Sequence, residues 1–280
     1  MSEHSMQDLV IQGEATEAVD INSIAAMVRA AEVRQQAPHV YRLLQVRPNP
    51  LAGAFLAGID HAYVPSDRKL IDFGLVAMDM DSTLITIECI DEIADMQGIK
   101  PQVAAITASA MRGEIDFPES LRRRVGLLAG LPESALQRVY DERLRLSPGA
   151  EAMLSRLRSL GIKTLLVSGG FTFFTERLKQ RLNLDHTLSN TLEISDGRLT
   201  GRVLGDIVDA GAKAAKLAAV RDSLGLRRDQ VIALGDGAND LAMMAEAGVS
   251  IAYHAKPVVR EQATYSFNQV GLDGLLALYP

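Results

Sequence analysis

Short apolar runs bounded by polar residues recur from residue 74 onward: 74–78 (GLVAM), 163–167 (KTLLV), 231–234 (VIAL) and 249–252 (VSIA). Strands buried on both faces read this way, as continuous apolar stretches rather than alternating ones. Helical spacing fills the intervals at 150–160, 172–182, 212–224 and 240–247. Strand and helix alternation predicts an α/β unit built on a Rossmann-like parallel sheet.

One segment breaks the alternation. From 87 to 146 the pattern is helical, with Ile90 and Ile93, then Leu121, Val125 and Leu128, at helical spacing. Glycines and Pro132 punctuate it, and no strand pattern appears. A helical insert directly after the first core strand predicts a cap over a site on the sheet. Further on, Asp196-Gly197 sits between strand formers in NTLEISDGRLTGR and predicts a hairpin turn.

The first 70 residues predict a separate small α+β unit. Residues 8–12 (DLVIQ) and 40–46 (VYRLLQV) read as strands, and 21–36 reads as a helix carrying Ile24, Met27, Val28 and Ala31, ended by Pro38. Pro48 and Pro50 break the chain before a short helix, and Pro65-Ser66-Asp67 reads as a linker. The expected division is 1–70 for this unit and 71–280 for the larger one, with the cap at about 87–146.

Composition narrows the classes. At about 150 residues per domain, 280 residues suit two domains. With 48% apolar and 23% charged residues, the chain is neither collagenous, coiled-coil nor wholly disordered. A net charge of -6 argues against a nucleic-acid binder driven by overall charge. The single cysteine, Cys89, excludes an intramolecular disulfide framework and a Cys-rich zinc site, and suits a reducing compartment. No apolar run approaches a transmembrane span, and MSEHSMQDLV does not read as a secretory signal, so the expectation is a cytoplasmic protein acting away from membranes.

Ligands of parallel α/β sheets bind beyond the carboxyl ends of the strands. Three predicted strand ends here carry chemistry: Asp79-Met80-Asp81-Ser82-Thr83, Ser168-Gly169-Gly170, and Gly235-Asp236-Gly237-Ala238-Asn239-Asp240. Like charges about 4 Å apart repel by about 4 kcal/mol at an effective dielectric near 20, so such a carboxylate cluster needs a cation or raised pKa values. Hard oxygen ligands without a His or Cys set favour magnesium. Ser168-Gly169-Gly170 ahead of a helix suits an anion cradle, and Lys213 at another helix start adds a point charge. Magnesium, an anion cradle and a nucleophilic carboxylate together point to phosphoryl transfer through an aspartyl-phosphate.

This pattern resembles the haloacid-dehalogenase-type phosphohydrolases. Within them MDMDST (78–83), ECIDEI (88–93), AMRGEIDF (110–117), SLRRRV (120–125), SGGF (168–171) and GDGAND (235–240) resemble the phosphoserine phosphatase branch, over about 73–280. The resemblance implies Asp79 as nucleophile and Asp81 as general acid, then base. It implies magnesium on Asp79, Asp236 and the backbone carbonyl of Asp81, with Asp240 behind them. Ser168, Gly169 and Lys213 would hold phosphoryl oxygens, and Asn239 would contact substrate or phosphate. Glu88 would meet a substrate ammonium, Arg124 a carboxylate, and Met111 and Phe117 would form apolar walls. The implied reaction is hydrolysis of O-phospho-L-serine to L-serine and phosphate, the last step of phosphorylated serine synthesis. A homodimer is left open.

Several residues also have ordinary readings. Ser168 alone would be a helix cap, Lys213 and Lys216 both fit a solvated helix, and Arg122, Arg123 and Arg124 fit a charged face from which position alone selects Arg124. Cys89 reads as a buried small hydrophobe, and His254 and Lys256 receive no role. Two competing functions stand beside the first. One is a related phosphatase or phosphotransferase acting on another small metabolite, such as phosphothreonine or homoserine phosphate. The other is an effector- or partner-binding protein centred on residues 1–70.

Overall fold

The structure is a computed structural model, and it describes residues 6–280. The amino-terminal part runs β1 (Gln7–Gln12), α1 (Ile21–Met27), β2 (Glu32–Ala37), β3 (Val40–Val46), α2 (Pro50–Phe55) and β4 (Asp60–Pro65). These strands form one antiparallel sheet in the order β2-β3-β1-β4.

The helix expected over 21–36 is half that length. Ile24 and Val28 are buried as the pattern requires, but the chain turns at Arg29, whose φ is +53°, and continues as β2. Every residue of β2 is exposed, so it lies at an edge with no apolar alternation to reveal it. β4 also escaped the pattern, ending in the segment that reads as a linker. Its inward residues are small or polar: Asp60, Ala62 and Val64.

The larger sheet begins at β5 (Leu75–Met78). The insert follows, with α3 (Cys89–Met96), α4 (Lys100–Met111), α5 (Phe117–Gly126) and α6 (Ser134–Arg138). Its neck is closed by backbone bonds from Thr86 to Arg145 and from Ser147 to Leu84, with a β-bridge between Ile85 and Leu146. The chain then runs through α7 (Ala150–Ser159), β6 (Lys163–Phe171), α8 (Thr172–Leu182), β7 (His186–Ser195), β8 (Arg198–Leu204) and α9 (Ala210–Ser223). It closes with β9 (Val231–Gly235), α10 (Leu241–Ala245), β10 (Val249–Tyr253), α11 (Pro257–Gln262), β11 (Tyr265–Phe267) and α12 (Gly274–Leu278).

The seven strands lie in the order β11-β10-β9-β5-β6-β7-β8, all parallel except β8. β5 is central and wholly buried, which accounts for its unbroken apolar sequence. The β7–β8 hairpin turns at Asp196 and Gly197, with φ of +52° and +72°, as the Asp-Gly signal predicts.

One apolar cluster spans the two sheets, while Leu9, Ile11, Ile24, Val28 and Leu56 form a separate cluster within the first unit. Val10, Ala62 and Val64 of the first belong to the same buried cluster as Phe73, Leu275 and Tyr279. Two buried charges fasten the contact. Asp60 accepts the backbone N–H groups of Asn268, Gln269 and Val270 at 2.8–3.0 Å. Arg42 pairs with Asp8 at 2.7 Å and donates to the carbonyl of Leu278 at 2.6 Å.

Candidate active site

The carboxyl ends of β5, β6 and β9 meet under the insert, because these strands are adjacent in the sheet. A cavity of about 500 Å³ lies there, lined by Asp79, Asp81, Gly169, Gly170, Asp236, Gly237 and Asn239 from the sheet side. Glu88, Met111, Phe117 and Arg124 line it from the insert. Residues more than 150 positions apart are thus brought to one space.

Asp79 ends β5, and the chain after it winds back on itself. Leu84 N–H donates to the Asp79 carbonyl, and Ser82 takes a φ of +57°. This tight loop turns Asp81 toward the same cavity. Asp81 accepts from Cys89 N–H at 3.0 Å and from the Ser168 hydroxyl at 3.4 Å. Desolvation at the cavity floor, reinforced by Glu88, pushes the Asp81 carboxyl up to about 7. A Cβ on Gly170 would stand 2.9 Å from an Asp81 carboxylate oxygen, so only glycine permits this approach.

Lys213 settles the choice left open with Lys216. It is 1% exposed and donates to Asp79 at 2.5 Å and Asp240 at 2.8 Å, whereas Lys216, one turn later, is only half-buried and reaches neither carboxylate. Burial opposes its charge, but the Asp79 and Asp240 carboxylates outweigh that and hold its pKa up. Asp79 itself is held well above the ordinary carboxylate range by burial and by Asp240, against the pull of Lys213. Two carboxylates share one ammonium, and one negative charge is left over.

Oxygens of Asp79, Asp236 and Asp240 lie within 4.8 Å of one another and could hold a metal ion. Their hydrogen bonds separate them. Asp240 is fully buried and uses both oxygens on Lys213 and the N–H groups of Asp236 and Gly237. Among the described residues, Asp79 has one oxygen and Asp236 one oxygen that no protein donor reaches. Burial, then Asp240, pushes the Asp236 carboxyl up to about 6. Unneutralised charge on hard oxygen donors fits a divalent cation such as magnesium.

Ser168 lies behind the cavity wall rather than in it. It is fully buried, accepting from Gly170 N–H at 2.8 Å and facing Asp81. Gly169 and Gly170 form the wall, where β6 departs from regular pairing with β7 between Val167 and Phe171. Of the three arginines, Arg122 and Arg123 are exposed, Arg123 pairing with Glu119, and Arg124 alone lines the cavity. Among the described residues its one hydrogen bond is from Nε to the Ser120 carbonyl, and none reaches the outer guanidinium nitrogens. Met111 stands at the rim, 73% exposed. Glu88 takes a hydrogen bond from Ser82 at 2.8 Å at the mouth.

Sequence reasoning missed four residues of interest. Ser120, the first residue of SLRRRV, lines the cavity one turn before Arg124, and its buried hydroxyl has no partner among the described residues. Asp91 and Lys256 also line the cavity. Asn190 is buried at the root of the β7–β8 hairpin, donating to the Gly169 carbonyl and accepting from Val208 N–H, both at 2.8 Å. No local pattern announces it.

Comparison with known proteins agrees with this arrangement. The profile of haloacid dehalogenase-like hydrolases matches residues 76–245. A phosphoserine phosphatase of Polaromonas sp. is 57% identical over 217 residues, covering 76% of this chain and 92% of the relative. A haloacid-dehalogenase family hydrolase from Salmonella enterica serovar Typhi superposes with a TM-score of 0.88 at 35% identity, covering 98% of both chains. A probable phosphoserine phosphatase from Vibrio cholerae gives 0.84 at 36% identity, covering 98% of this chain and 86% of that one. Both superpositions extend through the amino-terminal sheet, beyond the reach of the sequence resemblance. With fold, strand ends and profile in agreement, the chain belongs to the haloacid dehalogenase-like hydrolase family.

Proposed function

We propose that this chain is a phosphomonoesterase that hydrolyses O-phospho-L-serine to L-serine and phosphate through an aspartyl-phosphate on Asp79. The observation that carries the reading is the pairing within one cavity of an acid pair, Asp79 and Asp81, with an oppositely charged pair on the insert, Glu88 and Arg124. A small ester with a phosphate, an ammonium and a carboxylate matches that layout.

In this reading the free Asp79 oxygen attacks phosphorus in line, and the P–O bond to serine breaks. Asp81, with its pKa near neutrality, gives its proton to the departing serine oxygen and later takes one from the hydrolytic water. Gly169 offers its backbone N–H to a phosphoryl oxygen, while the Gly170 N–H holds Ser168. Lys213 adds its charge from behind Asp79, and Ser168 holds Asp81 in place. Asp79, Asp236 and the Asp81 carbonyl would hold magnesium, with Asp240 orienting Asp236 through its backbone. When bound, the ion supplies positive charge to the phosphoryl group. Asn239 contacts the phosphoryl end, and Met111 and Phe117 close the apolar side. The reading includes a cytoplasmic setting, and residues 6–70 act as a docked unit outside the chemistry.

The direct test is phosphate release from O-phospho-L-serine with magnesium and with excess chelator. Release should require the metal and return when magnesium is restored. Undiminished release in chelator overturns the metal assignment, and no release with magnesium overturns the substrate. A second test concerns Arg124. Losing its charged hydrogen bonds in Arg124→Ala should raise KM for phosphoserine about 30-fold, equivalent to roughly 2 kcal/mol. Turnover of phosphoethanolamine, which has no carboxylate, should change far less. An equal loss for both esters would remove Arg124 from substrate recognition.

A further inference from the structure

The cavity holds more acid than base, and its cations differ in availability. Lys213 is buried and saturated by two carboxylates. Arg124 is carried by α5 of the insert. On the sheet side, Lys256 lines the same cavity, is exposed, and has no carboxylate in ion-pair contact among the described residues.

The backbone fixes where this ammonium can go. Lys256 N–H donates to the Asp236 carbonyl at 3.2 Å, and two residues earlier His254 N–H donates to the Phe267 carbonyl at 2.7 Å. Ala255 is buried between them, and Pro257 begins α11 immediately after. The segment is therefore fastened on both sides beside the Asp236 loop, while the side chain reaches into the cavity. It shares that cavity lining with Glu88 and Asp236, which places its charge between the mouth and the metal-binding end.

We propose that Lys256 is a phosphate-recognition residue, an ammonium held on the sheet side of the cavity that draws in the dianionic phosphoryl group and opposes the divalent cation. The inference rests on the phosphatase reading but not on serine as the leaving group. A charge at this position has opposite effects on the two ligands. It attracts phosphate and repels magnesium, whereas damage to the loop would weaken both.

The test is calorimetric titration of wild type, Lys256→Met and Lys256→Arg, first with magnesium alone and then with inorganic phosphate at saturating magnesium. For Lys256→Met the phosphate Kd should rise about fivefold, as expected for one lost charge in a partly screened site, and the magnesium Kd should fall about twofold. Lys256→Arg should stay within about twofold of wild type for both, because the charge is kept. Weaker phosphate binding with magnesium binding equal or tighter upholds the proposal. Unchanged phosphate binding overturns it, and so does a joint loss of both affinities. Because the probes are magnesium and inorganic phosphate alone, the outcome is independent of whether phosphoserine is hydrolysed.

Discussion

Asp79→Asn should abolish phosphate release, by on the order of 10⁴-fold or more, while leaving the fold intact. An amide has nearly the shape of the carboxylate and can still accept from Lys213, but it cannot form the acyl-phosphate. Stability should move the other way. Burial and the nearby Asp240 oppose the Asp79 charge and raise its pKa, so removing that charge relieves the crowding of carboxylates around Lys213. In metal-free buffer the variant should melt at the same temperature as wild type or higher. An inactive variant that melts well below wild type would mean that Asp79 is structural, and retained turnover would exclude it as nucleophile.

Asp81→Asn should slow phosphoserine turnover by about 10²–10⁴-fold, the usual worth of a positioned acid or base. The variant keeps its acceptor for Cys89 N–H, so the loop should hold its shape. The deciding comparison is with p-nitrophenyl phosphate, whose leaving group departs without a proton. That ester should give a rapid burst of about one nitrophenolate per active site, followed by slow turnover, because the phosphorylated Asp79 then waits for a base. Phosphoserine should give no burst of serine. Undiminished turnover of both esters, with a burst from neither, would place Asp81 outside both half-reactions.

The local and the long-range parts of the structure were unequally readable. β5, β9 and β10 appear as apolar runs because both faces of each are covered, and the runs end where the strands do. α8 was readable from end to end for the same kind of reason, its buried residues falling at helical spacing. β2 was not, because an exposed edge strand leaves no apolar signature and its residues extend the preceding helical pattern. β4 was missed because its buried set opens on Asp60 and holds only Ala62 and Val64, and β11 because it is three residues long.

The site divides in the same way. By itself the sequence determined the chemistry at three strand ends, since Asp79, Asp81, Gly169, Gly170 and Asp236 follow runs whose strand character is local. The tertiary structure alone decided which charges remain available. Lys213 rather than Lys216, Arg124 rather than its two neighbours, and the saturation of Asp240 all depend on which face of an element meets the cavity. Ser120, Lys256 and Asn190 carry no motif of their own, and they matter through contacts made across 20 residues or more, or through a cavity lined from both sides. Spacing along a chain specifies residue types at an element's end; only packing specifies which polar atoms are left without a partner, and at such atoms a ligand binds.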